Sequence, residues 1–256
     1  SPVGYIFSQE EITRQELKYH IQFLANDSLN GRFPGTVENK MVVDYLKNDF
    51  TANGIFYDLQ EFTARLKGDN SEVKTWNVIG FIEGEDPKLK NEIIVLGAHY
   101  DHLGKHDSLI FNGADDDGSG TVATLEIAEA FMLAKKAGNG PRRSVLIMPV
   151  SGEEKGLLGS KYYTDHPIYP LKNTVANLNI DMIGRLDDWH DTANYVYLIG
   201  ADRLSQELHD ISEQVNKEHI GLNLDYKFNE DDDPNRYYYR SDHYNFAKNN
   251  IPVIFY

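Results

Sequence analysis

The sequence predicts an α/β fold, a mixed and largely parallel sheet sandwiched between helices and built as a single domain over residues 1–256. Short apolar runs bounded by turn residues recur along the chain, and helix-length segments separate them. Strands that alternate with helices imply a largely parallel sheet covered on both faces. A chain of this length suits one α/β unit and buries about three quarters of its unfolded surface.

The elements follow in order. Thr13 and Glu16 have capping-box spacing, and Leu17, Ile21 and Leu24 recur on one face of a first helix. Met41, Tyr45 and Leu46 mark a second helix, with Gly54 placed to end it. Apolar runs at 78–82, 93–96, 145–150, 178–180, 195–199 and 253–255 read as strands. Residues 121–136, 155–163, 204–218 and 241–249 read as helices between them. The acidic stretch 229–236, with Pro234 and the run Asp231-Asp232-Asp233, reads as an exposed loop. No internal repeat or low-complexity tract interrupts the pattern.

Composition narrows the function. With 25 Lys+Arg against 40 Asp+Glu, the formal net charge is −15, and such a surface repels a phosphate backbone, so no nucleic-acid partner is expected. The absence of cysteine excludes disulfides, thiolate metal sites and a cysteine nucleophile, and leaves any metal to His, Asp and Glu. No apolar run approaches the ~20 residues of a membrane span, and residues 1–4 show no signal-peptide pattern. The chain begins at Ser1 rather than Met, which favours an exported protein, extracellular or periplasmic, whose signal has been removed.

In open α/β sheets, ligands bind beyond the carboxyl ends of the strands. Gly97-Ala98-His99-Tyr100-Asp101-His102 follows the run at 93–96. Ser151-Gly152-Glu153-Glu154 follows 145–150, and Asp181 follows 178–180. Gly113-Ala114-Asp115-Asp116-Asp117-Gly118-Ser119-Gly120 precedes the helix near Thr121. Four groups of carboxylates and imidazoles thus converge on one sheet edge. Without Cys, such a set suits Zn²⁺ or another borderline divalent cation, and several carboxylates can bridge two ions. Of the pair Glu153-Glu154, one carboxylate can ligate while its neighbour acts as general base. Taken singly, Glu153-Glu154 also fits a helix N-terminus and Asp115-Asp116-Asp117 a solvated turn. A calcium loop is excluded because its acids must alternate. Nothing converges on His20, His106, His166, His190, His209 or His219, which read as surface or core residues; His102 has no assigned role.

The five segments Ala98-His99-Tyr100-Asp101-His102, 113–120, 152–160, 179–184 and Arg240-Ser241-Asp242-His243-Tyr244-Asn245-Phe246 resemble, in order, the motifs of the co-catalytic zinc aminopeptidase family. That superfamily of zinc exopeptidases includes leucyl aminopeptidases, glutamate carboxypeptidases and glutaminyl cyclases. The resemblance implies that His99 and Asp181 bind one zinc, that Asp116 bridges both ions and precedes a cis peptide, and that Glu154 binds the other zinc. It implies Glu153 as general base, Asp101 as the outer partner of His99, Arg240 as a contact to the substrate carbonyl, and His243 near the substrate pocket. The family's fifth ligand, a His in a downstream Tyr-His motif, has no counterpart before Tyr256. The second site lacks its usual His here, and the expectation is a chain missing its C-terminal segment.

The function so implied is a metal-dependent exopeptidase, most simply an aminopeptidase acting on peptides, with two zinc ions and a Glu base. Two alternatives differ in class. A glutaminyl cyclase would need one zinc and would release ammonia from an N-terminal glutaminyl peptide. A non-catalytic binding domain would lose the ligand positions first, whereas four of them and Glu153 are present.

Overall fold

The computed structural model describes residues 12–66 and 71–256; residues 1–4, read above for a signal pattern, lie outside the described residues. Helix α1 (Arg14–Leu24) begins at a true capping box, in which the Thr13 hydroxyl accepts from the Glu16 N–H and the Glu16 carboxylate accepts from the Thr13 N–H. Helix α2 (Val37–Asn53) starts on Thr36 and ends at Gly54, whose φ of 75° is the left-handed conformation glycine adopts without strain.

Strands β1 (Phe56–Arg65) and β2 (Glu72–Ile82) form an antiparallel pair, followed by β3 (Ile93–His99) and a small hairpin of β4 (Gly104–His106) and β5 (Leu109–Phe111). Helix α3 (Gly118–Lys136), β6 (Ser144–Val150), α4 (Leu158–Asp165) and β7 (Thr174–Asn179) come next. The remainder is β8 (Tyr195–Tyr197), α5 (Gln206–Val215), β9 (Asn223–Asp225), α6 (His243–Ala247) and β10 (Val253–Phe255). The main sheet has the order β1-β2-β6-β3-β7-β10; β6, β3, β7 and β10 run parallel and β1 and β2 antiparallel. This is the mixed, largely parallel sheet the sequence predicts.

Side chains along the parallel strands alternate between the two faces of the sheet, and both faces are buried. Val145 and Ile147 of β6 join Leu96 and residues of the first three helices, such as Val43, Phe50 and Val122, in one core. Leu146 and Met148 pack on the other face with Tyr163, Phe246 and Val253. Both faces are therefore covered, and the central strands can be apolar throughout.

Several elements differ from the sequence reading. Strand β1 was not anticipated: its buried positions Gln60, Phe62 and Ala64 include a polar residue, so no apolar run announces it. Residues 195–199 do not extend the main sheet. Tyr195–Tyr197 pairs in parallel with β9 as a separate two-stranded sheet, and Ile199 makes one antiparallel bridge to Phe255. The helix read at 155–163 begins only at Leu158, because Gly152, Gly156 and Leu157 all take left-handed conformations around a single turn, Glu153–Lys155. Helix α5 is shorter than 204–218 and widens at its end into a π-helical turn, Asn216–Ile220.

Candidate active site and metal centre

The parallel register sets the site. His99 at the end of β3 lies opposite Val150 at the end of β6, and Gly97 lies opposite Asn179 at the end of β7. The segments that follow these strand ends must emerge side by side. They bring His99, Glu153, Glu154 and Asp181 to one edge, and the loop before α3 adds Asp116.

Helix α3 is anchored there by Asp117, whose carboxylate accepts the Gly120 N–H at 2.8 Å, the His99 N–H at 3.0 Å and the Met182 N–H at 3.4 Å. One buried side chain thus ties together the ends of β3 and β7 and the start of the helix. A Cβ on Gly120 would come within 2.2 Å of the Ile180 carbonyl, so only glycine permits this approach. The Asp116–Asp117 peptide is cis, the geometry the resemblance implies there.

Two groups of donors result. His99, Glu153 and Asp181 have ligand atoms within 4.8 Å of one another, and so do His102, Asp116 and Glu154. His99 Nε2 stands 3.7 Å from Asp181 Oδ1, 3.8 Å from Glu153 Oε2 and 3.2 Å from Asp116 Oδ1. That same Asp116 oxygen lies 4.0 Å from His102 Nδ1, so Asp116 stands between the two groups. His102 Nδ1 is 2.7 Å from Glu154 Oε1. The adjacent Glu153 and Glu154 therefore face different groups, as a turn between left-handed residues allows.

The donor chemistry fits divalent cations. Each group offers one imidazole nitrogen and carboxylate oxygens, the set zinc accepts without thiolates. Two of these donor atoms, His102 Nδ1 and Glu154 Oε1, and the neighbouring Asp101 Oδ2 are buried without a hydrogen bond among the described residues, which buried polar atoms seldom tolerate unless they serve another ligand.

Electrostatics agree with that chemistry. Burial opposes charge on His99, but Glu153, Asp101, Asp116 and Asp181 outweigh it and raise its pKa well above the usual histidine value. Burial, reinforced by Asp242, Asp181 and Asp101 and opposed by His99, raises the Glu153 carboxyl well above the carboxylate range. A site that strains to hold so much negative charge gains from positive ions.

Around these groups the structure refines the expected roles. Asp101 is fully buried, but the His99 Nδ1–H meets its main-chain carbonyl at 3.2 Å, while its carboxylate stands at 3.7 Å and accepts the Glu153 N–H at 3.3 Å. Asp181 accepts from the Ser241 hydroxyl at 2.7 Å, and that hydroxyl in turn accepts from the Asn179 amide at 2.9 Å. Arg240 lines the cleft beside Tyr237. His243, expected near the substrate pocket, does not face it. Its ring is fully buried behind the cleft wall, Nε2–H donates to the Tyr238 carbonyl at 2.8 Å, and it stacks on Phe255. The first turn of α6 packs inward and carries the imidazole with it.

Sequence reading missed two contributors. His102 carried a signal, since it lies three residues beyond His99 in the same strand-end segment. Arg32 carried none. It is fully buried and donates to the main-chain carbonyls of Tyr100 at 2.7 Å, Leu24 at 3.0 Å, Gly113 at 2.6 Å, Asp116 at 3.4 Å and Asn112. It therefore fastens the loop carrying His102 to the loop carrying Asp116.

The donor groups form one end of a cleft of 830 Å³, continued by Tyr195, Tyr197, Phe228, Tyr237 and Tyr256. Its charged lining is mainly acidic, with Asp115, Asp187 and Asp188 added to the donors against Arg185 and Arg240. Of the tyrosine run, only Tyr237 lines the cleft; Tyr238 is buried beneath it and Tyr239 points outward.

Residues 77–256 match the model of Peptidase family M28. The leupeptin-inactivating enzyme 1 of Streptomyces exfoliatus is 32% identical over 178 residues, which is 68% of this chain and 37% of that protein. The chain spans about half or less of the length of the curated relatives it matches. Among solved structures, a zinc aminopeptidase from Bacillus subtilis aligns over 94% of this chain and 84% of its own at a TM-score of 0.72 and 16% identity. A glutaminyl cyclase from Porphyromonas gingivalis aligns over 95% and 82% at 0.69 and 20%. These likenesses bear on the fold.

Proposed function

The chain belongs to peptidase family M28, and from that premise we propose that it is a zinc-dependent exopeptidase that removes residues from the free amino terminus of peptides. One observation carries the reading: Glu153 stands in an acidic cleft with His99 and Asp181, beside a second group of His102, Asp116 and Glu154, and each group is of a kind that holds a divalent cation. His99 and Asp181 would hold one ion, His102 and Glu154 lie where a second would sit, and Asp116 would reach both. Bound cations would polarise a peptide carbonyl and lower the pKa of water.

Glu153 then serves as the general base. Its carboxylate is held at the cleft wall by its own main-chain bond to Asp101, and its raised proton affinity lets it take a proton from water and return it to the departing amine. Asp101 and Ser241 orient His99 and Asp181 and do not touch the substrate. The acidic lining favours an ammonium group over a carboxylate, which selects amino-terminal over carboxy-terminal cleavage. Arg240 at the cleft wall is placed to meet a substrate carbonyl.

Aminoacyl p-nitroanilides with free and acetylated amino groups test the reading. The free compounds should turn over with zinc present and the acetylated ones should not; turnover of both alike, or of neither, would refute it. Mass spectrometry of an N-terminal glutaminyl peptide separates loss of a residue from loss of ammonia.

A further inference from the structure

We infer that His190 is the positioning residue of the cleft's outer wall: its ring, held between Asp187 and Asp225, fastens the segment 182–189 to the β8–β9 pair and so sets how tightly a peptide is bound. The kinetic part of the inference rests on the exopeptidase reading. No signal in the sequence converges on His190, yet in space two carboxylates do. Nδ1 donates to Asp187 Oδ1 at 2.9 Å, and Nε2 stands 3.2 Å from Asp225 Oδ2. A ring with a proton on each nitrogen donates to both carboxylates at once. Asp187 lines the cleft, whereas Asp225 belongs to β9 and is not among the lining residues.

The wall needs such a fastening. Residues 180–194 form neither helix nor strand, yet an unbroken run from Asp181 to Trp189 lines the cleft. Four of its side chains, Met182, Ile183, Leu186 and Trp189, are large, apolar and at least 45% exposed. Apolar surface left open beside a cleft is stabilised when the side chains of a bound peptide cover it. At the end next to Asp181 the wall is tied through its backbone. The Ile183 N–H donates to the Ser119 hydroxyl at 3.1 Å, the Gly184 N–H donates to Asp115 at 2.8 Å, and Arg185 Nε pairs with Asp115 at 3.3 Å. At the other end the ties gather on Asp187 and His190.

The His190 ring lies flat on Tyr195, with centroids 3.5 Å apart and planes 8° from parallel, and meets Tyr197 edge-on at 5.6 Å. The Tyr195 hydroxyl accepts the Asp187 N–H at 3.0 Å. The Asp187 carboxylate accepts the N–H groups of Trp189 at 2.9 Å and His190 at 3.1 Å, and the Tyr197 hydroxyl as well. Lys227, just beyond β9, places its ammonium 3.3 Å from the centre of the Trp189 ring. Burial opposes charge on Asp187, but the Tyr197 hydroxyl and His190 outweigh it and hold its carboxyl well below the usual carboxylate range. Tyr195 and Tyr197 line the cleft themselves, so the imidazole links one lining segment to another. His190 is not among the lining residues and acts on a peptide only through the residues it holds.

Hydrogen exchange and steady-state kinetics on the zinc-loaded full chain test this. In the unaltered chain the amides of Asp187, Trp189 and His190 should be protected. His190→Gln has donors on one nitrogen only and cannot span both carboxylates, while Asp225→Asn removes one anchor away from the cleft. Exchange over 182–190 should speed up about fivefold in the first and about twofold in the second, and stay unchanged in β3, β6 and β7, because a half-exposed ion pair is worth a factor of roughly two to five and the ring makes two. KM for leucyl-p-nitroanilide should rise about fivefold in His190→Gln with kcat within about twofold, the split that follows when ground-state and transition-state binding are lost alike. Unprotected amides in the unaltered chain, exchange over 182–190 unmoved by both substitutions, or exchange rising equally across the sheet would overturn the fastening. Local exchange that rises while KM stays the same, or a fall in kcat alone, would overturn the role in peptide binding. An unaltered chain that turns over no aminoacyl p-nitroanilide refutes the exopeptidase reading instead, and exchange then decides the fastening on its own.

Discussion

Replacing Arg32 tests whether the loops carrying His102 and Asp116 are held by geometry or merely by charge. The guanidinium makes two bonds to fully buried carbonyls, those of Leu24 and Tyr100, and three to the partly buried carbonyls of Asn112, Gly113 and Asp116. In Arg32→Met the two buried carbonyls lose their partner outright, at about 1–3 kcal/mol each, while the other three can regain water and cost about 0.5–1 kcal/mol each. Removing a buried cation returns part of its desolvation penalty, so we expect a net loss of about 3–5 kcal/mol, as for other broken buried charge networks. Burial lowers the Arg32 pKa to about 10, against the pull of Asp101 and its neighbours, so the group is cationic throughout the neutral range. Arg32→Lys keeps that charge but replaces a five-donor fork by one nitrogen, which cannot reach both loops at once. It should recover less than half of the loss. Urea unfolding at pH 7, with zinc absent and then saturating, measures both variants. A loss under about 1 kcal/mol for the methionine variant, or a lysine variant equal to the unaltered chain, would show that Arg32 does not fasten these loops.

Further predictions concern the site itself. Glu153→Gln should keep fold and metal content while turnover falls by roughly 10²–10⁴; near-unaltered rates would remove Glu153 from the role of base. Ser241→Ala deletes the hydroxyl that donates to Asp181 at 2.7 Å, and competition titration should show first-ion affinity lowered by about tenfold or more; an unchanged affinity would mean that Asp181 needs no such support. Chelation should lower Tm and restoration of zinc should raise it in proportion to the logarithm of free zinc, because ions bind the folded state alone; a Tm independent of zinc would contradict the metal centre. Burial pushes the His243 pKa down to about 3, so the folded chain favours the neutral ring, and stability present above the unfolded value near 6.5 is lost as pH falls toward 3. Relative to His243→Asn, the unaltered chain should therefore lose about 1.4 kcal/mol per pH unit, or about 2 kcal/mol by pH 5, in urea titrations; parallel profiles would refute the buried neutral ring.

What could be read in the sequence, and what could not, divides along a physical line. His99, Glu153, Glu154 and Asp181 were legible because each directly follows an apolar run, and the carboxyl edge of a parallel sheet is where such segments must meet. The capping box at Thr13 and the terminating Gly54 were legible because local hydrogen bonding fixes them within one turn. Strand β1 was not, since Gln60 donates to the His166 carbonyl and accepts from Asn77 across the sheet, and that solvent-free polar network removes the alternation a strand would otherwise display. The burial of His243 was equally hidden, because a motif gives a residue's neighbours along the chain and not the direction in which a short helix turns.

Arg32 marks the limit of such reading. Its nearest functional neighbour, Tyr100, is 68 residues away, and all of its partners are carbonyls, which every residue possesses and which therefore leave no trace in composition. Main-chain acceptors are legible only where the chain has already been folded. His102 is similar: its separation from His99 is visible in the sequence, but the glycine its ring packs against, Gly113 with φ of 56° on another loop, is its neighbour only in space. The site is thus specified twice, once by the imidazoles and carboxylates that strand ends deliver and once by a cationic side chain and small residues that hold the loops carrying His102 and Asp116 against each other.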